Sequence, residues 1–216
     1  VTANAITEAH PFRATSSKGR RYRGQSPDER RVDQRQRMVR ASIDEFAARG
    51  YHNTSVEDIV RTARSSRTVF YMFFDDRADA MYAAVHSCLR ALLNTIQRAL
   101  RDARPDQDAT EVVVRSLVEF LVNDEAAARI MLLEAAGTSA QVNTLRSRMR
   151  LELGELLFGL RGNDTDGNRP PTDDAIRAGA VGLLFEPMAH LAETNRLAEA
   201  PSHIPALVTA VEKLIR

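Results

Sequence analysis

An all-α fold of about nine helices, with the first three forming a unit of their own, is predicted by two features of this 216-residue chain. Apolar residues recur at i, i+3 or i+4 and i+7 along nearly all of it, the spacing of helices with one buried face, and no segment alternates apolar and polar residues as a half-buried strand does. The clearest loop, RGNDTDGNRPP at 161–171, concentrates two glycines and two prolines between helical patterns. With 44% apolar residues the chain can bury a sizeable core, and its length suits one small domain followed by a larger one. The boundaries read as an arm over 1–27, a three-helix unit over 28–75 and a helical domain over 76–216.

The arm contains Pro11, Gly19, Gly24 and scattered Ser and Thr without apolar periodicity, and Arg13, Lys18, Arg20, Arg21 and Arg23 face one acid, Glu8. It reads as a flexible basic arm suited to tracking phosphates or entering a neighbouring minor groove, or as a plain solvated tail. The first helix begins at Pro27, with Ser26 as N-cap and Asp28 and Glu29 in its first turn, and buries Val39, Ile43, Phe46 and Ala47 before Gly50 stops it. The run Thr54-Ser55-Val56-Glu57 has the form of a capping box, opening a short second helix with Val56, Ile59, Val60 and Ala63 on one face. After a break at Arg64-Ser65, Ser66 caps a third helix, SRTVFYMFF, whose Phe70, Phe73 and Phe74 are apolar anchors and whose Arg67, Thr68 and Tyr71 are polar.

A long helix is expected from Asp76 to Arg101, with Met81, Val85, Cys88, Leu89, Leu92, Ile96 and Leu100 as its seam. Helical patterns follow over 110–123, 124–136 and 139–160. Thr172 caps a helix through about Asn195, interrupted by Pro187, and Ser202 opens the last one.

Charge is divided unevenly. Residues 1–77 carry 15 Lys+Arg against 10 Asp+Glu, net +5, and the remainder 15 against 19, net −4. Such a division brings one end toward nucleic acid and keeps the other away. The lone Cys88 lies in an apolar helical pattern, excludes an intrachain disulfide, and reads as a small buried hydrophobe in a cytoplasmic protein. No run approaches the roughly 18 apolar residues of a membrane span, and residues 1–27 lack a signal-peptide core. Enzyme chemistry finds no footing: there is no G-x-S-x-G, no phosphate-cradling glycine loop and no H-E-x-x-H, and the five histidines (10, 52, 86, 190, 203) lack metal-ligand spacing. No enzyme activity, cofactor or metal is therefore expected.

Three short amphipathic helices with a connection of a few residues between the second and third make the layout of a helix-turn-helix module. The order EFAARGYHNTSVEDIVRTA, then Ser66, Phe70-Tyr71, Phe73-Phe74 and Arg77, resembles the N-terminal signature of the TetR family of bacterial transcriptional regulators over about residues 32–85. The resemblance implies Thr54 and Tyr71 on phosphates, Arg67 and Thr68 on base edges, and Arg77, where the family usually has lysine, on the backbone; Arg64, placed beside the third helix where it could reach a phosphate, with Ser66 and Met72, completes the expected DNA-facing set. The chain departs from the family pattern at Arg64, where a turn glycine is usual, at Ser65 and Val69, and at Met72, where histidine is frequent. Arg64 must then either adopt a left-handed conformation or reshape the turn. Tyr71 also has a second reading, as a packed aromatic with its hydroxyl at the surface.

A reader helix of this size covers one half-site, so a homodimer on a palindromic operator of double-stranded DNA is expected. The candidate seam is Ala178, Gly182, Leu183, Ala189, Leu207, Val211 and Leu214, small or interdigitating residues on the last two helices that could equally be intrachain core. An apolar small-molecule effector would sit among Phe120, Met131, Met149, Phe158, Phe185, Glu186, Met188 and His190, a set with the same alternative. Together these describe an effector-controlled repressor. An effector-independent architectural DNA-binding protein, and a helical ligand-binding domain with a decayed helix-turn-helix, are the competing readings.

Overall fold

The computed structural model describes the backbone of residues 26–159 and 174–215, and the side chains of residues 26–157 and 178–214. Residues 1–25 of the basic arm, the 161–171 loop, Thr172 and the side chain of Phe158 lie outside the described residues. Among those described there is no strand, and nine α-helices run in the order α1 (Pro27–Arg49), α2 (Val56–Thr62), α3 (Arg67–Tyr71), α4 (Arg77–Asp102), α5 (Ala109–Asn123), α6 (Glu125–Arg129), α7 (Ala140–Gly159), α8 (Asp174–Glu193) and α9 (Ile204–Ile215). A π-helical turn, Ile130–Glu134, continues α6, and a 3-10 segment, Leu197–His203, precedes α9. Ser26–Gln36 belong to one compact unit, and Arg37–Arg216 form the other.

The sequence explains most of these boundaries. Ser26 Oγ accepts from the Glu29 amide at 3.1 Å while the Glu29 carboxylate accepts from Ser26 N at 2.6 Å, a reciprocal cap at the start of α1. Gly50, at φ +82°, ends α1 in the left-handed region. The second capping box forms one residue later than its pattern suggested. Ser55, not Thr54, is the N-cap: its hydroxyl accepts from Asp58 N at 3.2 Å, and its amide donates to Asp58 at 2.9 Å. The Ser55 hydroxyl also donates to Asp58 Oδ2 at 2.6 Å; this bond first, then the Ser55 amide and Arg61, hold the Asp58 carboxyl well below its usual range.

Three expectations need correction. The third helix is one turn and a half, ending at Tyr71, because Phe73 and Phe74 turn back toward the core to satisfy their packing. The helix expected to be interrupted at Pro187 runs through it as α8; the ring and its neighbour Glu186 are exposed, so the distortion faces outward. The last α-helix opens at Ile204 rather than Ser202, whose hydroxyl instead donates to Glu199 O at 2.7 Å within the 3-10 segment.

From Met38 onward one contiguous apolar core threads α1 to α9. Phe46, Ile59 and Phe70 anchor it beneath the first three helices, α4 carries Met81, Val85, Leu89, Leu92 and Ile96 along its buried face, and α5, α7 and α8 close around them with Leu117, Leu121, Leu153, Leu157 and Leu184. In the C-terminal part α4 packs on α5 and α7, α7 on α8, and α9 on α5 and α8. Cys88 is buried in this seam as expected, and burial pushes its thiol up to about 12. No described helix is long and apolar enough to cross a membrane.

The shift of the box to Ser55 is testable. Ser55→Ala is expected to lower the unfolding free energy by about 1 kcal/mol, whereas Glu57→Ala leaves it within about 0.5 kcal/mol; urea titration of the two variants reads the difference.

Candidate nucleic-acid interface

The candidate interface is built on α3, a helix too short to stand alone. Its fixed side is Phe70, fully buried, with its ring centroid 5.2 Å from Phe74 and 5.3 Å, edge to face, from Tyr71. Its start is fixed by Ser66, whose hydroxyl accepts from Val69 N at 3.3 Å. The opposite side is bare: Tyr71 and Met72 are 49% and 52% exposed, and Arg67 and Thr68 are exposed beside them. Tyr71 packs edge to face against Phe70, as its second reading expects, and is otherwise about half exposed. Arg67 reaches across to α2, where its Nη1 donates to Glu57 at 2.6 Å, and its guanidinium lies 6.0 Å from the Tyr71 ring centroid.

The turn between α2 and α3 keeps its geometry without a glycine. Arg64 adopts φ +49°, its amide donates to Arg61 O at 3.1 Å, and Ser65 N donates to Val60 O at 2.8 Å. This is the left-handed helix stop that a glycine normally supplies, so the departure is absorbed as strain of about 1 kcal/mol and the turn is not reshaped. The Arg64 side chain is left exposed next to α3.

Two expected DNA contacts belong elsewhere. Thr54 is only 1% exposed, and its hydroxyl donates to Gly50 O at 2.8 Å and Glu45 O at 3.2 Å, closing the α1–α2 connection from within. Arg77 turns inward from the start of α4: its Nη1 donates to Thr54 O at 2.6 Å, with Tyr51 O at 3.3 Å and His52 O at 3.5 Å, and its guanidinium lies 5.1 Å from the Tyr51 ring centroid. Both residues position the helix-turn-helix. A buried hydroxyl and a guanidinium group bonded to three carbonyls satisfy backbone acceptors that the loop cannot satisfy itself.

The same connection is gripped from the C-terminal helices by residues that no local pattern marks. Arg129, at the end of α6, donates from Nε to Ala47 O at 2.7 Å. Glu134, at the end of the π-turn, accepts from Tyr51 N at 2.9 Å and lies 3.5 Å from Arg129. Gly50 also leaves room for Glu134, since a Cβ there would stand 3.3 Å from its carboxylate. These contacts join residues 82 and 83 positions apart, beyond the reach of periodicity or capping rules.

Other predicted site residues are divided by the fold. Met131, Met149, Phe185 and Met188 are buried together in the C-terminal core, with Phe120 partly buried against it. Glu186 and His190 are exposed on α8, so they do not line an apolar interior. Of the proposed seam, Leu207 and Val211 are buried within the chain, which removes them from an outer surface. Leu183 and Leu214 remain 42% and 41% exposed, and Ala178, Gly182 and Ala189 are half-buried on α8.

A buried aromatic anchor beneath a short, capped, outward-facing helix, set on a second helix through a left-handed turn, defines a helix-turn-helix protein. Residues 39–84 match the model of bacterial regulatory proteins, tetR family. It is 28% identical over 106 residues to the HTH-type transcriptional regulator YdgC of Bacillus subtilis, covering 46% of this chain and 53% of YdgC. It is 23% identical over 112 residues to the HTH-type transcriptional activator FasR of Mycolicibacterium smegmatis, covering 52% and 51%. The chain thus spans about half the length of these curated relatives. The fold is similar to that of FadR from Bacillus subtilis in complex with stearoyl-CoA (TM-score 0.67, 15% identity, 82% of this chain and 98% of that one). It is also similar to the fatty acid degradation regulator FadR from Bacillus halodurans (TM-score 0.69, 16% identity, 82% and 97%).

Two substitutions probe this geometry. Arg64→Gly is expected to raise the unfolding free energy by up to about 1 kcal/mol by relieving the left-handed conformation, read as a higher denaturant midpoint. Gly50→Ala is expected to cost more than about 1 kcal/mol, since the left-handed backbone and the crowding of Glu134 add; thermal melts of Gly50→Ala alone and with Glu134→Ala separate the two contributions.

Proposed function

We propose that the chain is a sequence-specific DNA-binding regulator that acts in the cytoplasm as a homodimer on a palindromic operator, and whose affinity is changed by an apolar small molecule held among its C-terminal helices. The observation that carries this reading is α3: its buried Phe70 fixes it, and its bare face presents Arg67, Thr68, Tyr71 and Met72. A guanidinium can take a guanine edge in a bidentate contact, hydroxyls serve bases or phosphates, and Met72 offers apolar contact to a thymine methyl. Arg64, beside this face, is suited to a phosphate, and Ser66 secures the helix start.

Dimerisation is supported by the outer face of α8, where Gly179, Gly182, Leu183, Glu186, Pro187 and His190 recur at helical spacing, next to exposed Leu214 on α9. Two copies of this face would form a four-helix seam and set two readers about 34 Å apart along the duplex. The exposed Glu186 and His190 belong to this seam in our reading.

An effector is supported by the buried, adaptable Met131, Met149 and Met188 beside Phe185 and the π-turn, a helix irregularity of a kind that often borders functional sites. The FadR similarity makes long-chain acyl thioesters the first compounds to test. The π-turn carries Met131 into the core and Glu134 onto the α1–α2 connection, so a ligand that displaces the turn pulls on the reader unit directly. We assign the chain the role of a repressor released by its effector, and FasR, named an activator, marks the opposite sign as the outcome that promoter assays would have to reject.

Selection of bound duplexes from a random pool tests the reading. A palindrome with half-sites one helical turn apart is the expected result, and absence of any enriched sequence would sink it. Leu183→Glu with Leu214→Glu is expected to yield monomers by light scattering and to weaken operator binding by roughly a hundredfold or more. Arg64→Ala retains the backbone strain but removes the cation, so the slope of log affinity against log salt should fall by about 1. DNA affinity indifferent to acyl thioesters would favour the effector-independent architectural reading.

A further inference from the structure

Glu57 is not part of the capping box that starts α2. The capping box uses Ser55 and Asp58, and the Glu57 carboxylate is turned instead to Arg67 on α3, with Oε1 2.6 Å from Nη1. Both side chains are more than half exposed, 61% for Arg67 and 54% for Glu57, so the pair adds little to folding. Its effect is local and geometric. The guanidinium is held between the Glu57 carboxylate and the ring of Tyr71, 6.0 Å away. Hydrogen bonding to Tyr71 and then the charge of Glu57 hold the group above its ordinary range. One N–H is committed to Glu57, and the guanidinium retains its other donors.

This arrangement matters on a surface that meets DNA. A free arginine is satisfied by any phosphate, and phosphates are present at every sequence. A carboxylate paired with the guanidinium changes both the orientation and the charge balance. It restricts the fork to one direction, which lowers the entropy lost in a bidentate base contact. It also places a negative charge next to the DNA, where phosphates repel it, so a site without a partner for Arg67 binds less well.

We propose that Glu57 is a positioning residue for sequence discrimination, holding Arg67 for a guanine edge and lowering affinity for DNA that lacks that guanine. The proposal rests on the reading of α3 as the base-reading helix.

The test begins with the duplex selected by the wild-type chain. Wild type, Glu57→Ala, Glu57→Gln, Arg67→Ala and the double Ala variant are titrated against that duplex, against versions with each guanine of the half-site replaced, and against random duplex. Melting curves first establish that each variant is folded. For Glu57→Ala, random duplex should bind several-fold tighter, and the preference over one guanine-replaced site should fall about tenfold. In the Arg67→Ala background the same change should leave that preference within twofold. Glu57→Gln, which retains an acceptor but not the charge, should also bind random duplex more tightly. An unchanged preference in Glu57→Ala, or an equal loss of preference with Arg67 already removed, overturns the proposal while leaving the regulator reading intact. Failure of the wild type to select any sequence overturns both.

Discussion

The connection from α1 to α2 contains more backbone acceptors than its own chain can satisfy, and most of what positions the DNA-facing helix answers that shortage. Gly50 turns the chain out of α1, so carbonyls of its last turn and of the loop beyond lose the following amides that a continued helix would offer. Side chains take their place: Thr54 serves Glu45 and Gly50, Arg129 serves Ala47, Asn53 serves Arg49, and Arg77 serves Tyr51, His52 and Thr54. The Tyr51 amide, in turn, donates to Glu134. An unsatisfied buried polar group costs as much as a lost hydrogen bond, so this loop is stable only while α4 and the π-turn stay in place.

That dependence explains why the helix-turn-helix and the C-terminal helices act as one body from Arg37 on. The apolar core is continuous between them, which resists sliding, and the polar grip of Arg129 and Glu134 gives the contact a definite register. A close-packed core responds to a change of shape by moving whole elements, not by deforming evenly. The π-turn, with Met131 inside and Glu134 on the loop, joins the C-terminal core to the α1–α2 connection.

At the reader itself, rigidity and strain are combined. Phe70 and Ser66 fix a helix of five residues, and Arg64 accepts a left-handed backbone so that α2 and α3 keep their relation. The exposed face then carries a cation already paired with Glu57. The charge of this surface is therefore balanced locally, the Glu57 carboxylate lying against the Arg67 guanidinium.

Much of this was legible in the residues because it depends on neighbours in sequence. Helical spacing, Ser26, Ser66, Asp76 and Gly50 fixed helix number and most boundaries, since caps and apolar stripes act within one or two turns. The same local logic misplaced the α2 cap by one residue, because Ser55-Asp58 and Thr54-Glu57 satisfy the same pattern and only the buried carbonyls that claim Thr54 distinguish them. Tertiary structure alone decided the rest. It turned Arg77 inward, gave Glu57 to Arg67, placed Leu207 and Val211 in the core and Leu183 and Leu214 outside, and brought Glu134 to Tyr51. These are matters of which face meets which element across tens of residues, and a helical period specifies a face without naming its partner.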